Sequence, residues 1–126
     1  MAIYRICRCI DRAGREVACT DGTQRRDYLY ADDLGRALAL LLGSPAEGAV
    51  NVGAGQAIAV RDLIGEVARQ MGRPGLVRLG ARPRAPGDPD ELRADVARLT
   101  AATGFRPAFS LQAGVAALLR AEGGGA

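Results

Sequence analysis

The sequence has no histidine and no lysine among its 126 residues, and only 4% of them are aromatic. Without histidine, a Cys–His nucleophile cannot form within this chain. The three cysteines, Cys7, Cys9 and Cys19, are odd in number and lack CxxC spacing. Zinc binding and a disulfide framework are therefore both disfavoured, and buried or half-buried reduced thiols are expected.

Long apolar runs are also missing. No stretch approaches the roughly eighteen apolar residues that a membrane helix needs. The N-terminal residues 1–14 are interrupted by charges and lack a small-residue cleavage site, so they do not resemble a signal peptide. We therefore expect a cytoplasmic protein with no membrane partner.

Positive charge comes from arginine alone, and the formal net charge is +3. A solvated arginine surface explains this balance, and a weak preference for anionic ligands is the alternative. The arginines are spread along the chain and aromatic residues are few, which argues against a nucleic-acid-binding module.

The length allows one domain with a modest core. We expect residues 1–122 to form this domain and residues 123–126 to be a flexible tail. Apolar periodicity and turn residues predict helices at 3–13, 32–42 and 59–71, a helix between Asp95 and Gly104, and a last helix capped by Ser110. Short strands are predicted at 16–20, 26–30, 48–52 and 76–79. This alternation indicates an α/β fold.

One helix carries an especially regular apolar stripe, which we expect to be core. Its members recur at helical spacing: Leu34, Ala37, Leu38, Leu41 and Leu42.

The stretch DGTQRRDYLYADD combines a turn, a strand and a helix start. Gly22 suits a turn because it adopts positive φ without steric cost, and Asp32 or Asp33 is expected to cap the next helix. Arg25 and Arg26 follow the turn, where a guanidinium can bind a phosphate or carboxylate through two parallel hydrogen bonds. The alternative is that both arginines are solvated or paired with neighbouring aspartates.

The glycine-rich segment GAVNVGAG does not predict a dinucleotide site. It lacks a third glycine at the required spacing, and it does not end the first strand of the chain. The segment 80–90, rich in proline, glycine and charge, is predicted to be a loop.

Four motifs occur in order: DGTQRRDYLYADDLGRAL, GAVNVGAGQAIAVRDLIGEVARQMG, RAPGD and ADVARLTAATGFRPAFSLQAG. Together they resemble the C-terminal portion of the extended short-chain dehydrogenase/reductase family, the NAD-dependent epimerases and dehydratases of nucleotide sugars. The resemblance covers about residues 15–119. It implies a small substrate-binding lobe that lacks the N-terminal Rossmann half.

In that family the N-terminal half binds NAD or NADP, and a Tyr-x-x-x-Lys pair handles the proton during hydride transfer. Because this chain has no lysine, the resemblance implies that it has no catalytic residues, binds no cofactor and is inactive by itself. It is then either truncated or completed by a separate Rossmann-containing chain. A non-catalytic relic that binds a nucleotide or a partner protein remains the alternative. Epimerases, dehydratases and reductases share these motifs, so neither the sugar nor the reaction follows from them.

The resemblance also implies substrate-binding residues for a nucleoside-diphosphate sugar. Arg26, directly before the Asp-Tyr pair, takes the position of an arginine that contacts the pyrophosphate. The family's second arginine precedes Pro-Gly-Asp, where this chain has Ala85, so either Arg84 substitutes for it or the contact is lost. Asn51 and Asp88 also fall on motif positions, with substrate-binding or structural roles. Without a Rossmann partner, the lobe should leave an apolar face uncovered, and it could self-associate.

Overall fold

The computed structural model describes residues 15–123. The predicted helix at 3–13, Cys7 and Cys9, and residues 124–126 lie outside this range. Within it the strands are β1 (Val17–Ala18), β2 (Arg25–Asp27), β3 (Ala57–Ala59), β4 (Val77–Arg78) and β5 (Glu91–Leu92). The helices are α1 (Ala31–Leu42), α2 (Val60–Gln70), α3 (Ala97–Thr103) and α4 (Leu111–Gly123), and a 3-10 turn covers Pro74–Leu76.

The described strands form two small sheets. β1 and β4 pair in parallel. The other sheet has the order β3-β2-β5, with β2 antiparallel to β3 and parallel to β5. Arg26 lies opposite Ile58 of β3 and Leu92 of β5. The central strand of the larger sheet therefore carries the arginine that the sequence singles out.

Two apolar clusters form the core of the described residues. The first joins α2 and α4 through Leu63, Val67, Ala68 and Val115. The second joins α1, α3 and the segment after α3 through Ala37, Leu99 and Phe105. The helix predicted at 59–71 is confirmed as α2, and three residues of its apolar face are buried: Leu63, Ile64 and Val67.

The prediction that the whole α1 stripe is core is wrong. Ala37 is fully buried and Leu41 packs against the second cluster, but Leu38 is 49% exposed and Leu42 is 90% exposed. Leu34 is exposed as well. Ala37 and Leu41 lie four residues apart on the side of α1 that faces α3. Leu38 and Leu42 each follow one residue later, so they point about 100° away around the helix axis. These leucines form an exposed apolar face on α1.

The start of α1 also differs from the prediction. The helix begins at Ala31 with an extended Tyr30 at the N-cap and no capping side chain. Asp33 therefore does not cap α1; it lies in the first turn, and its carboxylate instead accepts hydrogen bonds from the backbone N–H groups of Ala108 and Phe109. A distant segment competes successfully for the carboxylate because it brings two unsatisfied backbone donors.

Strand pairing departs from local preference in three places. Residues 48–52 form no strand, although Val50 and Val52 pack against the second apolar cluster. The strand paired with β2 is Ala57–Ala59, and β5 was not predicted. β2 ends at Asp27 rather than at residue 30. Short apolar segments have similar strand preference, so the available partner strand decides which of them pairs.

Several turn and cap predictions are confirmed. Gly22 has φ +67° and Gly104 ends α3 with φ +67°. The hydroxyl Oγ of Ser110 accepts a hydrogen bond from the N–H of Ala113 in the first turn of α4, 3.2 Å away. Residues 80–90 form a loop that contains no helix or strand.

Candidate anion-binding site

β2 directs its two arginines to different partners. Arg25 contacts the residue opposite it in β5, with Nε 3.1 Å from a carboxylate oxygen of Glu91, and its Nη2 donates to the carbonyl of Ala57 at 2.5 Å. Arg26 instead reaches the loop 80–90 and forms an ion pair with Asp88. This arrangement agrees with the alternation of side chains along a strand.

Arg26 is held by backbone oxygens as well as by Asp88. Its Nη1 donates to the carbonyl of Pro89 at 2.9 Å and to its own neighbour, the carbonyl of Arg25, at 2.8 Å. Its Nη2 donates to a carboxylate oxygen of Asp88. The guanidinium thus joins the central strand to the end of the loop.

Arg84 binds the same part of the loop. Its Nη2 donates to the backbone carbonyl of Asp88 at 3.0 Å, and its Nη1 contacts the carboxylate of Asp90 at 3.0 Å. Its Nε lies 3.9 Å from the second carboxylate oxygen of Asp88. Three of the sequence-predicted residues, Arg26, Arg84 and Asp88, therefore form one cluster, with the Asp88 carboxylate between the two arginines.

Asn51 is not part of this cluster. Its side-chain amide donates to the backbone carbonyl of Asp95 at 3.2 Å. That bond ties the segment before the glycine-rich loop to the segment before α3, which is a structural contact.

A cavity of about 450 Å³ lies beside Arg26, at the end of the central strand. It is lined by Arg26, Asp27, Leu29, Val52, Gly53, Leu92, Arg93 and Ala94. Its walls are mainly apolar, and Arg26, Asp27 and Arg93 contribute charged groups to the lining. Such a surface accommodates a ligand that has both an apolar part and an anionic part.

Asp27 holds two walls of this cavity together, a role that the sequence motifs do not predict. Its carboxylate accepts hydrogen bonds from the backbone N–H groups of Ala54 at 2.8 Å, Gly55 at 2.9 Å and Ala94 at 3.2 Å. Gly53 is needed beside it, because a Cβ there would lie 2.6 Å from the Cβ of Ala94. The signal in the sequence was an acid directly after Arg26, with a glycine-rich loop further along.

Asp33 performs a similar task at a different place. It is 1% exposed, and its carboxylate accepts hydrogen bonds from Arg36 at 2.8 Å and from the N–H groups of Ala108 and Phe109 at 3.0 Å each. Burial opposes ionisation, but these bonds outweigh it and lower the pKa of Asp33. The side chain fixes the segment before α4 against α1.

That segment borders a second and larger cavity of about 990 Å³. Its wall includes the rings of Tyr28, Tyr30 and Phe109, and the last two rings lie 4.5 Å apart. Burial raises the pKa of Tyr28, although the charge of Arg26 opposes the shift. Residues 28–30 continue β2 in the chain but pair with no strand among the described residues. The larger cavity therefore combines an aromatic wall with a segment outside the sheets.

Comparison with known families gives a match over the first part of the chain. Residues 1–53 match the NAD dependent epimerase/dehydratase family. A comparison with curated proteins gave no match. Among residues 15–123, no helix combines the length and apolar character required to cross a membrane.

Solved structures of this family share the fold. TunA, an NAD-dependent NDP-hexosamine 5,6-dehydratase involved in tunicamycin biosynthesis, matches with a TM-score of 0.83 and 28% identity over 98% of this chain and 40% of its own. MoeE5, solved with UDP-glucuronic acid and NAD, matches with a TM-score of 0.77 and 29% identity over 97% of this chain and 42% of its own. UDP-glucuronic acid 4-epimerase from Bacillus cereus, solved with UDP-glucuronic acid and NAD, matches with a TM-score of 0.79 and 24% identity over 93% of this chain and 38% of its own.

The chain thus spans about 40% of the length of these structures. Its α/β fold is similar to that of the matching part of these structures, and residues 1–53 match the model of the NAD dependent epimerase/dehydratase family.

Proposed function

We propose that this chain is the nucleoside-diphosphate-sugar-binding portion of an NAD-dependent epimerase/dehydratase, with the dinucleotide-binding half supplied elsewhere. The observation that supports it most is the position of Arg26. Its side chain lines the 450 Å³ cavity at the end of the central strand, and Arg84 lies within reach of the same carboxylate. Relatives with this fold were solved with UDP-glucuronic acid or UDP-glucose bound.

The chemistry of the cavity suits such a ligand. The planar fork of N–H donors on a guanidinium group matches two oxygens of a pyrophosphate and holds them through charge-assisted hydrogen bonds. The cavity volume of about 450 Å³ falls within the range of roughly 300–1,000 Å³ typical of small-molecule sites. Arg26 and Asp88 are assigned to the phosphate end, with Arg84 beside them. Asn51 is assigned a supporting role through Asp95.

The proposal is tested by replacing Arg26 with Ala and titrating UDP, UDP-glucose and UDP-glucuronic acid by calorimetry. We expect the free energy of binding to become less favourable by about 1.5–3 kcal/mol, the usual scale for a hydrogen bond to a charged group. Arg25→Ala is the matched control, since Arg25 lies on the same strand but contacts Glu91 and Ala57 instead. Thermal melts of both variants establish that each is folded. Equal losses in the two variants, or no loss in either, would contradict the proposal.

A second candidate function is binding to a partner protein without catalysis. The exposed leucines of α1, Leu34, Leu38 and Leu42, favour it, because a row of uncovered apolar side chains marks an interaction surface. The same titration separates the two candidates: binding of UDP-sugars that depends on Arg26 supports the first, and its absence leaves the second.

A further inference from the structure

We propose that the carboxylate of Asp88 occupies the anion position between Arg26 and Arg84 in the unliganded chain, and that a ligand phosphate binds Arg26 by displacing it. This inference rests on the proposed function and concerns how the same site opens. The ligand class is a nucleoside diphosphate.

The position of the carboxylate carries the inference. One of its oxygens forms the ion pair with Nη2 of Arg26, and the other lies 3.9 Å from Nε of Arg84. The two guanidinium groups therefore share one internal anion. This is the arrangement that a phosphate would need in order to bridge both arginines.

Few hydrogen-bond donors of the Arg26 guanidinium remain available to a ligand. Both hydrogens of Nη1 are directed to the carbonyls of Pro89 and Arg25, and Nη2 donates to Asp88. A guanidinium has five N–H donors in all, so only Nε–H and one Nη2–H remain. A phosphate that bridges Arg26 and Arg84 must take the place of the Asp88 carboxylate at Nη2 of Arg26.

The loop 80–90, which carries Asp88, can change its conformation locally. Asp88 follows Gly87, which has φ +76°, and residues 80–90 belong to no helix or strand. On the far side the chain is fixed again at Asp90, whose carbonyl accepts a hydrogen bond from the N–H of Arg25 at 2.7 Å. Movement can therefore be confined to the few residues around Asp88. A phosphate group offers more negative charge and more acceptor oxygens than one carboxylate, so it competes favourably for a guanidinium.

The test is Asp88→Asn, which keeps the shape of the side chain and removes its charge. We expect the affinity for UDP to rise about 3–10-fold, because the internal competitor is weakened. Asp90→Asn is the matched control: it makes the same change of charge two residues away, on a side chain that is 96% exposed and pairs with Arg84. We expect it to change the affinity less than about twofold. Uridine, which has no phosphate, is titrated in parallel and should bind all three proteins equally.

Two further variants keep the result interpretable. Asp88→Ser replaces Asp88→Asn if the amide variant fails to fold, and it should tighten UDP binding in the same way. Combining Asp88→Asn with Arg26→Ala should abolish the gain, because the gain acts through Arg26.

Each outcome decides the inference. Weaker binding by Asp88→Asn would show that Asp88 orients the arginines, and unchanged binding would show that the ligand uses the free edge of Arg26; both overturn it. Equal tightening by Asp90→Asn would assign the effect to general charge and also overturn it. If UDP binds the wild-type chain and depends on Arg26, the proposed function stands whatever Asp88→Asn does. If no protein of the set binds UDP, the proposed function and this inference fail together.

Discussion

Replacement of Asp33 by Asn should strongly destabilise the chain, because the buried carboxylate holds residues 108–109 against α1. The carboxylate is 1% exposed and accepts hydrogen bonds from Arg36, Ala108 and Phe109. An amide keeps the volume but turns an N–H₂ group toward one of these donors. A buried donor left without an acceptor costs about 1–3 kcal/mol, and the bonds that remain lose their charge. We expect a total loss of about 2–4 kcal/mol in the free energy of unfolding.

Urea denaturation at neutral pH measures this loss. Asp32→Asn is the matched control, because Asp32 stands in the same turn of α1 and is exposed. It should lose only about 0.3–1 kcal/mol, the value of a charge near a helix N-terminus. Equal losses from the two variants, or a loss below about 1 kcal/mol for Asp33→Asn, would refute the assignment of Asp33 as the anchor of residues 108–109.

The pH dependence gives the same prediction an independent check. The pKa of Asp33 is lowered on folding from an ordinary value of 3.8. Its contribution to stability is therefore fully present above that value and is lost as the pH falls through the lower folded-state pKa. The difference in stability between the wild-type chain and Asp33→Asn should be constant near neutral pH and shrink below about pH 4. A difference that stays constant in acid would contradict the ionised state of Asp33.

Two further predictions concern packing. Leu63→Ala should lower the free energy of unfolding by about 2–5 kcal/mol because Leu63 is fully buried. Leu38→Ala should lower it by about 0.5 kcal/mol or less because Leu38 is half exposed. Urea denaturation measures both values, and similar losses would mean that the buried face of α1 is misassigned. Gly53→Ala should cost about 1–3 kcal/mol, since its Cβ would lie 2.9 Å from the carboxylate of Asp27. Gly65→Ala, on α2 with no atom near the added Cβ, should instead stabilise by about 0.5–1 kcal/mol, and loss of stability there would count against the helix assignment.

Much of the helical structure could be read locally. α2 follows from the spacing of Leu63 and Val67, and α4 from the cap at Ser110. The turn at Gly22 follows from the conformational freedom of glycine. Local signals succeed here because the interactions that stabilise these features join residues close together in the chain.

The faces and partners of the same elements could not be read in this way. Leu38 and Ala37 both fit a helical stripe, and only the position of α3 decides that Ala37 is buried and Leu38 is not. The strand at 57–59 was missed in favour of 48–52 because pairing with β2 is a long-range contact. Periodicity reports that a helix or strand has an apolar side, not how wide the covered part is.

The sequence by itself determined the α/β class and the likeness to nucleotide-sugar epimerases and dehydratases, and it led to the prediction that Arg26 contacts a ligand phosphate. It also singled out Arg84 and Asp88 as candidate substrate-binding residues. Only the tertiary structure decided what these groups contact: the loop 80–90 folds back on β2, so that Asp88 meets both arginines, while Asn51 binds elsewhere. The physical reason is that charge and residue type are local properties, whereas Arg26 and Asp88 stand 62 positions apart and are brought into contact only by tertiary packing.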